Sequence, residues 1–493
     1  MKKVKPETAL KMIRTYTSKQ WGVLRESQML SLFHEAATRV PAYKDFLKKN
    51  GVKASTIKTF KDFQSVPQTS KASYLRTYPM KELCWDGTLN KATLFAATSG
   101  STGKPFYFPH EEDLAVQYSI LWDMFLENAK PQKKPILVVI CFGMGVWIGG
   151  MFTYQALDIA SRRGKNVSII TPGINKEEIL NALKDLAPDY AQTILVGYPP
   201  FLKDLLDDAS LSSIELSKLN VRILSAAESF TEVFRDHMVK ASDIKNLYRD
   251  TLNIYGTADI GAMAFETPSA ILLRRLAAND TKLFSHIFGT TTKTPTLAQY
   301  NPLFTNFESV DGEILLTGTN TIPLIRYAVG DRGGVTTLDE VLSGPLTKEH
   351  FLKEAHKHDA PITELPFVYV YERADFSVKL YGATIFSEHV KEALQEESFL
   401  KRVTGKFSMQ TRTNETHDQF LELNIELASG VASTQELEKK IVDAVVVNLL
   451  RKNSEYKNNY ASIKEKIIPT IVFWPYEDPL YFKPGVKQKW VKK

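Results

Sequence analysis

The sequence predicts an α/β protein in two parts: a large N-terminal domain of mostly parallel sheets flanked by helices, and a small α+β domain at the C-terminus. Three observations carry this. From about residue 94 to 335, short apolar runs alternate with helical patterns, as expected of parallel strands joined by crossover helices. Beyond Glu372–Asp375 the pattern changes to alternating strands with two capped helices. The 493 residues, 43% hydrophobic and 24% charged, have the balance of a globular chain. That length can bury a large core with no metal or disulfide staple.

The elements follow in order. The first hundred residues read as helices and loops. Leu30, Phe33, His34 and Ala37 fall at helical spacing, and Val40-Pro41-Ala42-Tyr43 breaks the run. Strands are expected at 136–142, 167–171, 193–197, 221–225 and 251–255, and helices at 113–127, 176–186, 201–208 and 230–240. In the tail, Phe376, Val378 and Leu380 alternate, Gly382 turns the chain and Ser387 is placed to cap a helix. Leu421, Leu423, Ile425 and Leu427 alternate over one strand. Ser433-x-x-Glu436 is a capping-box pattern before Leu437, and Ile467 to Phe473 reads as a last strand.

Composition excludes several classes. A net charge of +6 is too mild for a nucleic-acid binder, which shows a concentrated basic face. Two distant cysteines, Cys84 and Cys141, give neither a disulfide framework nor zinc spacing, so a reducing, cytoplasmic setting is expected. The basic N-terminus lacks the apolar stretch of a secretory signal. The uncharged stretch Pro135 to Leu157 holds Gly143, Gly145, Gly149 and Gly150. It reads as a buried strand, a turn and a helix rather than a membrane span.

The sharpest local feature is Thr98-Ser99-Gly100-Ser101-Thr102-Gly103-Lys104-Pro105. Glycines let backbone N–H groups turn toward an anion, hydroxyls add donors, and the lysine adds charge. This suits a phosphate chain, although a polar flexible loop has the same composition. It is not a Walker A loop, which needs glycine where Thr98 stands and Ser/Thr where Pro105 stands. Phe142, Trp147 and Tyr198 lie just after expected strands, where ligands of parallel sheets bind. As pocket lining they would suit an aryl or arylacetic acid; as core aromatics they would need no ligand.

The 98–104 loop resembles the phosphate loop of the adenylate-forming superfamily, which comprises acyl-CoA synthetases, adenylation domains and luciferases. Further segments match in order. Asn253-Ile254-Tyr255-Gly256-Thr257-Ala258-Asp259 resembles the Tyr-Gly-x-x-Glu motif, with Asp for Glu. Ile325-Arg326-Tyr327-Ala328-Val329-Gly330-Asp331 resembles the ribose-binding Arg-Tyr-x-x-Gly-Asp motif. Arg373-Ala374-Asp375-Phe376-Ser377-Val378-Lys379-Leu380-Tyr381-Gly382 resembles the hinge motif. Ala226-Ala227-Glu228-Ser229-Phe230, Val40-Pro41-Ala42-Tyr43 and Pro67-Gln68-Thr69-Ser70-Lys71 are similar to segments of the phenylacetate–CoA ligase branch. Residues 262–312 match nothing.

The resemblance implies an acid–thiol ligase of the phenylacetate–CoA ligase type. A carboxylic acid and ATP would give acyl-AMP and pyrophosphate, and CoA would then take the acyl group. Thr98 to Lys104 would hold the phosphates. Ala227, Glu228, Tyr255, Gly256 and Thr257 would flank the nucleotide. Asp331 would accept from the ribose hydroxyls, Arg373 would touch the nucleotide, and Asp259 would bind Mg²⁺. Lys487, aligned with the family's transferable lysine, would be catalytic, with Lys489 and Lys483 as the alternatives. The implied domains are 1–372 and 376–493, with a hinge near 373–375 at Asp375 that makes the small domain mobile. A homodimer is implied because the family commonly dimerises.

Other readings remain open. The acyl-AMP could pass to a carrier protein, an amine or a protein cysteine, or the chain could be a non-catalytic nucleotide-binding scaffold. Gly143-x-Gly145-x-x-x-Gly149 after a strand would fit a nicotinamide enzyme, but Ser168-Ile169-Ile170-Thr171 puts no acidic residue at the end of the next strand. His350, His356 and His358 read as a polar helix face rather than a metal site.

Overall fold

The structure, a computed structural model, describes residues 4–97, 106–128, 134–146, 148–289, 295–371, 377–381, 383–414, 419–484 and 490–491. The chain opens with the helices Pro6–Thr15, Ser18–Arg39 and Pro41–Lys49. Thr17 and Gln20 close a capping box at the start of the second. Pro41 ends it and begins the third, because proline is tolerated in a first turn and not in a helix interior.

A hairpin, β1 (Leu94–Ala97) and β2 (Tyr107–His110), stands apart. Next come β3 (Ile136–Cys141), β4 (Val167–Ile170), β5 (Gln192–Gly197), β6 (Val221–Ala226) and β7 (Thr251–Thr257), close to the expected ranges. They pair in parallel in the order β4-β3-β5-β6-β7. Side chains alternate between the two faces. Val138, Ile140, Ile194 and Val196 join a core with Trp21, Phe33 and Tyr43 of the N-terminal helices. Leu137, Val139, Cys141 and Leu195 join a core under the helices Lys176–Asp185, Pro199–Leu211 and Glu232–Ala241. Burial on both faces is why these strands are continuous apolar runs.

The sheet then becomes mixed. β8 (Gly261–Phe265), β9 (Thr296–Gln299), β10 (Thr305–Val310), β11 (Glu313–Gly318), β12 (Leu324–Thr336) and β13 (Phe367–Tyr371) all pair antiparallel, giving eleven strands in the order β10-β11-β12-β13-β9-β8-β7-β6-β5-β3-β4. The parallel expectation thus describes half of the sheet. Only three residues join β7 to β8, too few for a crossover, so the chain must turn back on itself. The unmatched stretch 262–312 supplies β8 to β10 and the helices Pro268–Ala278 and Thr281–Phe288.

The C-terminal elements have their own core. β14 (Ser377–Leu380) pairs with β15 (Ala383–Phe386), and β16 (Val403–Thr413), β17 (Gln419–Leu427) and β18 (Thr470–Trp474) form a second small sheet. The helices Ser387–Leu394 and Gln435–Lys452 pack on them. Three details depart from expectation. Ser387 is the first helical residue and not the cap, because β15 runs straight into the helix through Phe386. The cap of the next helix is Thr434, which accepts from the Leu437 N–H, rather than Ser433. The last strand begins at Thr470, because a tight turn occupies Lys464–Lys466.

The uncharged stretch from Pro135 divides into β3, a turn and the helix Ile148–Arg162. Among the described residues no helix is long and apolar enough to cross a membrane.

Candidate active site

The carboxyl ends of the parallel strands gather the candidate residues on one edge. Phe142 follows β3, Tyr198 follows β5, Ala227 and Glu228 follow β6, and Tyr255, Gly256 and Thr257 end β7. Phe142 and Tyr198 meet edge to face, ring centroids 5.2 Å apart. Burial, reinforced by the charge of Glu228, pushes the Tyr198 hydroxyl up to about 12. Phe142 belongs to the core beneath the edge, so Tyr198 is the more accessible wall of the pair. Trp147 lies outside the described residues.

The segment after β6 is held from below. The Ser225 hydroxyl donates to Asn253 Oδ1 at 3.0 Å, and Asn253 Nδ2 donates to the Glu228 carbonyl at 3.0 Å. Arg274 donates to the Phe230 carbonyl. Ala227 sits at φ 77°, a left-handed conformation unusual outside glycine. Buried Arg235, Glu266 and Arg274 form an ion cluster with half-buried Glu232 under this turn. Burial alone would raise the Glu232 carboxyl, but Arg235 and Arg274 hold it down to about 2.

The two motifs at 253–259 and 325–331 interlock. The Tyr255 hydroxyl donates to Asp331 Oδ2 at 2.5 Å. In the reverse sense, the Tyr327 hydroxyl donates to Asp259 Oδ2 at 2.7 Å. Gly256 permits the close approach of β7 and β8, since a Cβ there would lie 2.7 Å from the Gly261 carbonyl oxygen. Asp259 sits in the β7–β8 turn, its N–H donating to Thr257 Oγ1 at 3.3 Å.

Four residues given no site role from sequence complete the arrangement. Thr69 exchanges backbone hydrogen bonds with Arg326 and Ala328, at 3.1 and 2.8 Å, as an isolated parallel bridge beside β12. This delivers Lys71, whose ammonium is 3.3 Å from Asp259 Oδ1. Asn320 donates to the Asp259 carbonyl at 3.0 Å and contacts buried His110. Burial pushes the His110 pKa down, against the opposing contacts of Asn320 and Ala258 and the charge of Asp259. Lys71 ends the Pro67-Gln68-Thr69-Ser70-Lys71 segment, and its place after Thr69 is the sequence signal for it; nothing in the sequence joins His110 to Asn320.

The fit of Mg²⁺ to Asp259 is poor in this arrangement. Its carboxylate is 3% exposed, one oxygen takes the Tyr327 hydroxyl and the other faces the Lys71 ammonium. Among the described residues no three His, Cys, Asp or Glu side chains cluster as metal ligands. That holds for His350, His356 and His358, which lie along or just past the helix Lys348–Lys357.

Thr98, Ser99, Gly100, Ser101, Thr102, Gly103, Lys104, Arg373, Asp375 and Lys487 lie outside the described residues. Their flanks are anchored. β1 and β2 bracket the hydroxyl-rich loop, and the Ala97 N–H donates to the Val146 carbonyl at 2.9 Å. After Lys487, Trp490 is buried, its carbonyl accepts from the Met409 N–H at 2.8 Å, and Lys391 sits 4.5 Å over its ring.

No protein-family model and no curated protein sequence matches the chain. Solved structures do. A 2-hydroxyisobutyryl-CoA ligase in its postadenylation state superposes with a TM-score of 0.68 at 14% identity, over 98% of this chain and 91% of that one. The same ligase in complex with acyl-AMP and CoA, in its thioesterification state, scores 0.53 at 15% identity over 98% and 91%. An acyl acid amido synthetase in complex with 2,4-DB scores 0.61 at 12% identity over 97% and 91%. The edge-of-sheet site and these superpositions agree: this chain has the fold of the adenylate-forming enzymes.

Proposed function

We propose that the protein uses ATP to activate a carboxylic acid as acyl-AMP, releasing pyrophosphate, and then transfers the acyl group to the thiol of CoA. The observation that carries this is the reciprocal lock between Tyr255 and Asp331 and between Tyr327 and Asp259. Two motifs far apart in sequence are clamped into one polar floor at the end of the sheet, beside the strands that bracket the 98–104 loop.

In the first step a carboxylate oxygen attacks the α-phosphorus, and the bond to the bridging oxygen of pyrophosphate breaks. Such chemistry asks the protein chiefly for positioning and charge neutralisation. The loop Thr98–Lys104 would hold the phosphate chain, Asp331 the ribose hydroxyls, and the pinned 227–228 segment the base. Tyr255 fixes the rotation of the Asp331 carboxylate, so Asp331 meets the ribose preorganised. Lys71 adds a positive charge at the same floor, and Lys487 and Arg373 would approach from the C-terminal side. No step is assigned to a metal, given the state of Asp259. In the second step the thiol sulfur attacks the acyl carbon and AMP leaves.

The ligands of the superposed ligase, acyl-AMP and CoA, support CoA as acceptor; the amido synthetase makes an amine the alternative. Tyr198 and Phe142 support an aromatic wall and hence an aryl or arylacetic acid. The separate C-terminal core supports division into 1–372 and 376–493 about Asp375, and the better superposition on the postadenylation state supports reading this arrangement as the adenylating one.

ATP–pyrophosphate exchange across aryl, arylacetic and fatty acids tests the reading. Exchange is expected with an aryl or arylacetic acid. Lys487→Ala should reduce it by about 10²- to 10³-fold, the scale of losing one charge-stabilising group, with ATP binding almost unchanged. ATP binding without exchange for any acid rejects the enzyme in favour of a scaffold, and normal exchange in the variant rejects Lys487.

A further inference from the structure

The seam between the N-terminal sheet and the C-terminal unit contains buried charge. Lys406 lies on β16, where the ladder with β17 skips between Val403 and Phe407. Gly405 takes φ 83° in this bulge, and a Cβ there would come within 4.0 Å of Phe234 on the helix Glu232–Ala241. Bulges re-aim side chains, and this one sends Lys406 across the seam. Its ammonium is 2.7 Å from Asp204 Oδ2 on the helix Pro199–Leu211 and 3.0 Å from Glu426 Oε2 on β17. The Lys406, Asp204 and Glu426 side chains are 10%, 2% and 0% exposed. Glu426 is further satisfied by the Thr404 hydroxyl and the Glu477 N–H, each at 2.7 Å.

The contact is reciprocal. Lys203, from the N-terminal side and 1% exposed, donates to the Val403 carbonyl at 3.3 Å and pairs with Asp207 at 3.0 Å. At the rim Lys176 joins Asp208, at 2.9 Å, to Glu477, at 2.8 Å. Burial alone would lower the Lys406 pKa, but Asp204 and Glu426 raise it above the ordinary lysine value, so the ammonium is charged. The helix carrying Lys203, Asp204, Asp207 and Asp208 starts directly after Tyr198, which ties this seam to the edge of the site.

We propose that Lys406 and Asp204 form a clasp that holds the C-terminal unit in the adenylating arrangement and must separate before acyl transfer. The proposal rests on the two-step reading above. Lys406 touches no substrate; it is a positioning residue, acting through the unit that bears Lys487. A buried ion pair suits this task. Its attraction is largely offset by the lost hydration of two charges, so it specifies one geometry without adding much net stability. When the lobes part, both charges regain water.

Full-length Lys406→Met and Asp204→Asn variants test this, first by hydrogen exchange without ligand. Amides of the helix Pro199–Leu211 and of β16 should exchange about tenfold faster, as in a local opening, while β3 and β5 stay unchanged. ATP–pyrophosphate exchange should fall about tenfold, while transfer from added acyl-AMP to CoA holds or rises. Unchanged protection at the seam, or an equal loss of both half-reactions, overturns the clasp. Should Lys406→Met fail to fold, the near-isosteric Asp204→Asn, which leaves Lys406 its Glu426 partner, carries the test. If the seam opens in the variants but the parent adenylates no acid, the clasp stands as a lobe contact and the two-step reading falls.

Discussion

Asp331 and Asp259 receive a hydroxyl from opposite motifs, yet their settings differ. Asp331 is half-buried at the site, whereas Asp259 is enclosed and faces a lysine. Tyr255→Phe keeps the ring and removes only the hydroxyl that orients Asp331. A hydrogen bond to a charged group is worth about 1.5–3 kcal/mol, so the KM for ATP should rise about tenfold or more with kcat little changed, read by steady-state pyrophosphate release. An unchanged KM would detach Tyr255 from nucleotide binding. Lys71→Ala and Asp259→Asn should be non-additive. Lys71 is partly exposed, so solvent screening limits their coupling to about 0.5–1 kcal/mol in a double-mutant cycle by urea unfolding; strict additivity would mean the pair contributes nothing.

Elements matter here through what they press against. The β7–β8 turn has no room for a side chain at Gly256. Gly256→Ala should therefore force the strands apart and destabilise the protein by about 2 kcal/mol, measurable as a lower urea midpoint. The helix Glu232–Ala241 carries Glu232, whose carboxyl is held near 2 in the fold against an ordinary 4.5. A carboxylate depressed on folding stabilises the native state above pH 4.5 and loses that contribution as the pH falls toward 2. Urea stability of the parent should accordingly drop more steeply between pH 5 and 3 than that of Glu232→Gln, by about 2 kcal/mol. Equal slopes would show that the arginines do not hold the charge in place.

At the scale of the whole molecule, the sheet joins three regions that lie far apart along the chain: the bridge at Thr69, the parallel strands and the β8–β13 arm. The strand ending at Ile170 is followed by Thr171 and Pro172 with no acidic residue, so NAD(H) should not bind; saturable NAD(H) fluorescence quenching would contradict this. The sequence by itself determined the five parallel strands, the helices between them and the identity of the motif residues. Period, apolar runs and turn residues are local properties that survive without tertiary contacts. Only the tertiary structure decided the antiparallel arm, because β8 to β11 are buried along most of their length yet carry polar residues such as Gln299, Thr305 and Asn306, so they show neither alternation nor an apolar run, and their order depends on long-range pairing. It alone placed Lys71 against Asp259, His110 against Asn320 and Lys406 against Asp204. Charge pairs between residues some 200 positions apart leave no trace in spacing, since their attraction exists only once the fold has removed the intervening water.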